Sequence, residues 1–215
     1  REFTKEIEAC PCDEWLKKVQ AAKKEAPLRG EPRTDFVEPR AFMRDLSAMM
    51  EDDAILTADV GQNQIWAANN FNTKEGRFLT SGGMGTMGYA LPAAIGAKLA
   101  KPKRQVVAVC GDGSFQMSMC ELATANQNQV PLKLVVMRNK FLGMVKELQD
   151  NLYQGRHVAT PLNGDPDIVK LVQAYGIKAV FAQNNEDAKK LAKEMLESKE
   201  AYVLVCDVDP NTPSI

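Results

Sequence analysis

Residues 111–114 read Gly-Asp-Gly-Ser and follow the apolar run Gln105-Val-Val-Ala-Val-Cys110 directly. A run that is continuously apolar and β-branched is the pattern of a strand covered on both faces. Glycines at such a strand end let backbone N–H groups approach a phosphate, and the start of a following helix favours the anion. The acid between the glycines, Asp112, conflicts with a phosphate unless a divalent cation lies between them. Magnesium is bound by a few hard oxygens together with phosphate oxygens. Asn139 offers an amide oxygen and the backbone near Phe141 a carbonyl. Asp112, Asn139 and Phe141 are therefore the candidate metal ligands. The plainer alternative is a tight Gly-Asp-Gly turn closed by an Asx bond.

Those residues need a frame to hold them. Apolar runs at Ala54–Ala58, 78–80, 105–110, 132–137, 178–182 and 202–207 alternate with helical patterns near 40–50, from 62, and at 87–99, 114–128, 166–174 and 185–198. Alternation of this kind specifies an α/β fold, a parallel sheet flanked by helices on both faces. Ligands of such sheets bind beyond the carboxyl ends of the strands. Four successive strand ends carry polar or glycine-rich segments: Asp59–Gln64, Ser81–Gly88, Gly111–Ser114 and Asn139–Gly143. They point to one shared crevice. The stretch 144–164 reads as a long polar loop, expected to be mobile without cofactor, as lids over sites often are. Residues 1–26 read as a charged helix. Pro27, Pro32 and Pro39 mark an extended linker, so the organisation expected is 1–38 as the end of a preceding domain plus linker, 39–208 as the diphosphate-binding domain, and 209–215 as a tail.

Composition narrows the class. With 45% hydrophobic residues a core can form, and a net charge of −1 gives no basic excess for nucleic acid. No apolar run nears the roughly 18 residues a membrane span needs, so no membrane is expected as partner. The chain opens on charged residues without an initiator Met, so a piece of a longer protein is expected. Its five cysteines form no CxxC pair, and Cys10 and Cys12 alone are too few for zinc. A reduced, cytoplasmic setting fits. His157 lies in a polar loop with no Ser or Cys pattern of a triad.

Residues 114–138 put 25 positions between Gly-Asp-Gly and Asn139. This resembles the signature of thiamine-diphosphate enzymes, in which Gly-Asp-Gly is followed after a similar gap by two asparagines; here Arg138 replaces the first. The segments Val60-Gly-Gln-Asn-Gln-Ile-Trp-Ala67, Gly82 to Gly96, Gly111-Asp-Gly-Ser-Phe-Gln-Met117, Glu121-Leu-Ala-Thr124 and Leu142-Gly-Met-Val145 are similar to acetohydroxyacid synthase, also called acetolactate synthase. The likeness runs from about residue 27 to 208, the C-terminal third of a catalytic subunit.

The resemblance implies a carboligase that decarboxylates pyruvate and joins the two-carbon unit to a second 2-oxoacid, giving acetolactate or acetohydroxybutyrate for branched-chain amino acids. It implies thiamine diphosphate and Mg2+ here, and FAD bound mainly outside this chain. It implies a homodimer or homotetramer and a possible regulatory subunit. By the same resemblance Gly61, Gln62, Asn63, Gly85, Met87, Gly111, Gly113, Ser114, Asn139, Leu142, Gly143 and Met144 contact the cofactor. Asn63 stands where the family has His. Met87 is the apolar side chain that keeps the cofactor bent. Met144 and Leu148 line the substrate channel, Leu148 standing where the family carries a tryptophan. The glutamate that activates the cofactor belongs to another domain of a neighbouring subunit, so no catalytic residue is expected in this chain. Alternatives are another thiamine-diphosphate decarboxylase or carboligase, such as glyoxylate carboligase, and a non-catalytic assembly module that binds magnesium diphosphate. A dinucleotide-binding dehydrogenase has only Gly83-Met-Gly-Thr-Met-Gly88 in its favour, a lone weak match.

Overall fold

The computed structural model describes residues 12–25 and 35–215. Two compact units divide the chain, Arg1–Glu31 and Pro32–Ile215. Of the first, helix α1 (Asp13–Glu25) is described. The expected helix over residues 1–11 and the proline-marked linker at 26–34 lie outside the described residues.

The second unit holds six strands: β1 (Ile55–Ala58), β2 (Arg77–Thr80), β3 (Val106–Gly111), β4 (Lys133–Arg138), β5 (Lys178–Ala182) and β6 (Tyr202–Asp207). All pair in parallel, in the order β2-β1-β3-β4-β6-β5. Side chains alternate across the sheet because a strand repeats every two residues. Val107 and Val109 of β3 enter one core cluster, while Val106, Ala108 and Cys110 enter the other. The first cluster is closed by α2 (Pro39–Met49), α3 (Gln62–Asn70) and α9 (Asn185–Glu197). The second is closed by α4 (Ala90–Ala100), α5 (Asp112–Ser118), α6 (Glu121–Gln127) and α8 (Ile168–Ala174). Helices thus cover both faces, and the α/β fold with its parallel sheet is the one expected.

Local chemistry sets several element ends. Pro39 opens α2, and the Glu38 carboxylate caps it by accepting from Ala41 N–H at 2.7 Å. Asp167 and Asn184 cap α8 and α9 in the same way. Two expectations need correction. The helix expected over 114–128 is two helices, joined at Met119–Cys120 by a tighter turn in which Leu122 N–H and Ala123 N–H bond to the carbonyls three residues earlier. The expected loop 144–164 contains a helix, α7 (Gly143–Leu152), and only its later part is irregular.

Sheet order carries the functional consequence. From β1 the chain moves outward to β2 and then returns past β1 to β3, so the order reverses between β1 and β3. Such a reversal leaves a crevice at the carboxyl ends, where helices depart to opposite faces.

Candidate functional site

At the carboxyl end of β1 stands Asp59, fully buried. Its Oδ1 accepts from Val60 N–H and Gly88 N–H, both at 2.9 Å, and its Oδ2 from Ala90 N–H at 2.8 Å. Thr57 adds an Oγ1 hydrogen bond to the Ala90 carbonyl at 2.9 Å. These bonds fasten the glycine-rich segment before α4 onto β1 and place Met87 at the crevice. Burial raises the Asp59 carboxyl above its usual range, against the three backbone donors that lower it. Gly61, with φ of 144°, makes the turn into α3, a conformation that side-chain-bearing residues rarely adopt.

Asp112 opens α5 at the end of β3. It is 4% exposed, its Oδ1 accepts from Gly113 N–H at 3.0 Å and its Oδ2 from Lys140 N–H at 2.7 Å. Burial pushes its carboxyl up to about 6, partly offset by those hydrogen bonds and by the Arg138 charge. Lys140 N–H ties the loop after β4 to this carboxylate, and in the same loop Asn139 Oδ1 accepts from Phe141 N–H at 3.0 Å. Arg138 is held elsewhere, by Asp165 at 2.7 Å and Asp207 at 2.6 Å. The arginine that departs from the family's asparagine pair therefore leaves Asn139 undisturbed.

A network of amides crosses the crevice. Asn139 Nδ2 donates to Gln62 Oε1 at 3.0 Å. Gln62 Nε2 donates to the Thr212 carbonyl at 3.0 Å and to Glu147 Oε2 at 3.1 Å. Trp66 Nε1 donates to the Pro213 carbonyl at 2.9 Å, and Ser214 N–H donates to both Glu147 oxygens. Asn63 donates inward, to the carbonyls of Asp59 at 2.8 Å and Val109 at 3.4 Å. In this arrangement the NH2 groups of Gln62 and Asn63 are engaged by the protein. Diphosphate donors are the backbone N–H groups where α3, α5 and α7 begin, of which Gly113 N–H is already taken by Asp112 Oδ1 at 3.0 Å.

One open cleft gathers these parts. It is lined by Gly61, Gln62, Asn63, Met87, Gly111, Asp112, Gly113, Ser114, Asn139, Phe141, Leu142, Gly143 and Met144, all named from the sequence. Gly85 and Leu148 do not line it; Leu148 is 50% exposed on α7. Val60, Trp66, Met137 and Val145 line it and were not singled out. Neither was the tail Thr212–Ser214, whose bonds to Gln62, Trp66 and Glu147 span more of the chain than any local pattern reports. His157 bonds Asp150 at 2.6 Å on the exposed side of α7 and takes no place in the cleft.

The cleft fits a magnesium diphosphate. Three helices start at its wall, α3, α5 and α7, and helix starts favour an anion. Asp112 is a buried carboxylate whose ionised form is penalised by burial, and a cation against it would remove that penalty. The donor set of Asp112, Asn139 and the Phe141 carbonyl is all hard oxygen, as magnesium requires. Close approach is built in as well. A Cβ on Gly143 would lie 2.0 Å from Gln62 Oε1, and one on Gly113 would lie 2.7 Å from Leu142 Cδ2.

Residues 59–206 match the family model of the thiamine pyrophosphate enzyme, C-terminal TPP binding domain. The chain is 40% identical over 207 residues to a probable acetolactate synthase large subunit of Methanocaldococcus jannaschii, covering 91% of this chain and 34% of that protein. It is 38% identical to the acetolactate synthase large subunit of Lactococcus lactis, over 89% of this chain and 35% of that protein. It is also 38% identical to the acetolactate synthase isozyme 3 large subunit of Escherichia coli, over 87% and 33% respectively. The chain thus spans about a third of the length of these relatives.

Proposed function

The chain belongs to the thiamine pyrophosphate enzymes, through their C-terminal TPP-binding domain, and from that membership we propose that it is the cofactor-binding third of an acetolactate synthase-type carboligase. The complete enzyme would decarboxylate pyruvate and transfer the two-carbon unit to a second 2-oxoacid. The observation that carries this reading is the single cleft at the sheet's switch point that joins Asp112, Asn139, Phe141 and three helix starts.

Within it, Asp112, Asn139 and the Phe141 carbonyl hold Mg2+. Backbone N–H groups at the starts of α3, α5 and α7 bind the diphosphate. Met87, carried by the segment that Asp59 fastens to β1, would support the middle of the cofactor. When bound, thiamine diphosphate supplies the electron sink that decarboxylation and carbon–carbon bond formation need. The protein's part is to bind, orient and shield it. Among the described residues Asp112 is the one acid of the cleft lining, and in this reading it is spent on the metal. The proton-moving glutamate then comes from outside this chain, and FAD binds mainly outside it too. The relatives are named large subunits, which supports a smaller regulatory partner. A homodimer or homotetramer fits a site that draws its glutamate from another subunit. A cytoplasmic setting fits the buried free thiols of Cys110 and Cys206. Among the described residues no helix is long and apolar enough to cross a membrane.

The test is a calorimetric titration of the full-length protein with thiamine diphosphate, with and without Mg2+, followed by product analysis with pyruvate. Saturable, Mg2+-dependent binding and acetolactate formation are expected. Binding with no C–C coupling would leave an assembly module or another decarboxylase, and no binding would overturn the reading.

A further inference from the structure

We propose that Glu147 is a positioning residue that sets which way the Asn139 amide faces, and so delivers Asn139 Oδ1 to the metal; this rests on the magnesium-diphosphate reading of the cleft. Glu147 does not line the cleft. It acts through Gln62. Hydrogen-bond polarity fixes the orientation of the amides. At one end of the network stands Phe141 N–H, which can only donate, and it reaches Asn139 Oδ1 at 3.0 Å. At the other end stand the Glu147 carboxylate and the Thr212 carbonyl, which can only accept, at 3.1 and 3.0 Å from Gln62 Nε2. Between them lie two side-chain amides, each able to present oxygen or NH2 on either side. With both ends fixed, one arrangement satisfies every atom: Gln62 turns NH2 to Glu147 and oxygen to Asn139, and Asn139 turns NH2 to Gln62 and oxygen to the Phe141 loop. Turning either amide would set NH2 against NH2 or oxygen against oxygen.

Two features hold the arrangement in place. Gln62 is 6% exposed, and a Cβ at Gly143 would meet its Oε1 at 2.0 Å and Asn139 Nδ2 at 2.6 Å, so the amide pair is wedged against the start of α7. The Glu147 carboxylate is itself fixed from behind by Ser214 N–H, at 3.3 Å to Oε1 and 3.2 Å to Oε2. Removal of the carboxylate leaves one acceptor, the Thr212 carbonyl, to hold Gln62, and the amides gain freedom to turn. The metal then loses an oxygen ligand for part of the time, while the cleft keeps its shape.

The experiment compares the full-length protein with its Glu147→Ala, Glu147→Gln and Ser214→Pro variants, measuring thiamine diphosphate binding by calorimetry across a Mg2+ series, with thermal midpoints in parallel. Glu147→Ala should need roughly five- to tenfold more Mg2+ for half-saturation, the scale of one hydrogen bond, and should recover parental affinity at high Mg2+. Glu147→Gln keeps an acceptor oxygen and should stay within about twofold of the parent, since a neutral acceptor serves the same polarity. Ser214→Pro removes the N–H behind the carboxylate, together with the Ser214 hydroxyl, and should shift the requirement in the same sense by less. An unchanged Mg2+ requirement in Glu147→Ala overturns the proposal. So does a loss in Glu147→Gln equal to that in Glu147→Ala, or a loss that Mg2+ does not restore. If Glu147→Ala does not fold, a shift in Ser214→Pro supports the proposal and an unchanged requirement overturns it. Failure of the parent itself to bind would overturn the magnesium-diphosphate reading.

Discussion

Asp112 carries two opposing demands. Folding disfavours its charge, since burial raises its carboxyl from 3.8 to about 6, while metal binding requires that charge. An acid whose folded value is raised is stabilised in the folded state when protonated. Its contribution to stability is therefore fully present below about 4 and is lost as pH rises through about 6. A shift of about 2 units corresponds to roughly 3 kcal/mol at full effect. We expect metal-free Asp112→Ala to fold and to gain stability relative to the parent between pH 4 and 7, by on the order of 1–3 kcal/mol, less whatever is lost by unpairing Gly113 and Lys140 N–H. Urea unfolding at the two pH values reads this directly. The same variant should lose Mg2+-dependent cofactor binding altogether; normal affinity would remove Asp112 from the metal site. Leu148 makes a second case. It is half exposed on α7, beside Val145 and Leu152 at helical spacing. If it stands at the channel mouth of the complete enzyme, Leu148→Trp should strengthen sulfonylurea-type inhibition and favour 2-oxobutyrate as second substrate. The stacking part of that change is at most about tenfold. Equal inhibition and equal product ratios in the two proteins would place the position outside the channel.

At the scale of elements, the strands and the motifs at their ends were legible because both are local signals. A β-branched run such as 106–109 and a Gly-Asp-Gly turn need no partner to be recognised. Helix α7 was not legible, and the reason is its orientation. Val145, Leu148 and Leu152 repeat at helical spacing but stay exposed, Val145 at the open cleft, while Gly143 and Lys146 are buried. Lys146 is held by Asp150 at 2.8 Å and lies over the Phe141 ring. An amphipathic pattern assumes the apolar stripe faces the core, and here it does not, so polarity and turn formers suggested a loop. The start of α7 is nevertheless the most constrained part of the cleft. Gly143→Ala would put a Cβ into the Gln62 and Asn139 amides. Either the amides or the helix must move, and cofactor affinity should fall by more than about tenfold, with a cost to stability of about 1–3 kcal/mol for overpacking. Parental affinity in that variant would show that the two amides are free to leave. Beyond α7, residues 160–162 pair with the loop after β4, through Leu142 N–H to the Thr160 carbonyl and Leu162 N–H to the Lys140 carbonyl, both at 2.9 Å, whereas residues 153–159 are exposed and held by bonds to Gln149 and by His157 to Asp150. Rapid amide exchange there without cofactor, slowed on binding, is the behaviour expected of a lid.

For the whole molecule, what stayed out of reach of sequence reasoning is the contact between distant ends: Gln62 bonds Thr212 and Trp66 bonds Pro213 across most of the domain. Periodicity and spacing report neighbours along the chain, and no pattern within a window records a tail folded back onto a helix start. The family resemblance supplied the cofactor; the fold alone, shared by many α/β proteins, could not. Among the described residues the cleft is lined by no acid other than Asp112. In this reading Asp112 is spent on the metal, Glu147 is engaged by Gln62 and Ser214, and Glu121 by Thr124 at 2.7 Å on another helix. A proton-moving carboxylate must lie within about 3 Å of the atom it serves, directly or through one water. These acids are committed elsewhere, so the 215-residue chain by itself should bind Mg2+ and thiamine diphosphate yet form no acetolactate from pyruvate. Supplying the remainder of the polypeptide should restore turnover. Acetolactate produced by the pure chain would mean that one of its own carboxylates reaches the cofactor, and the division of labour argued from this cleft would have to be abandoned.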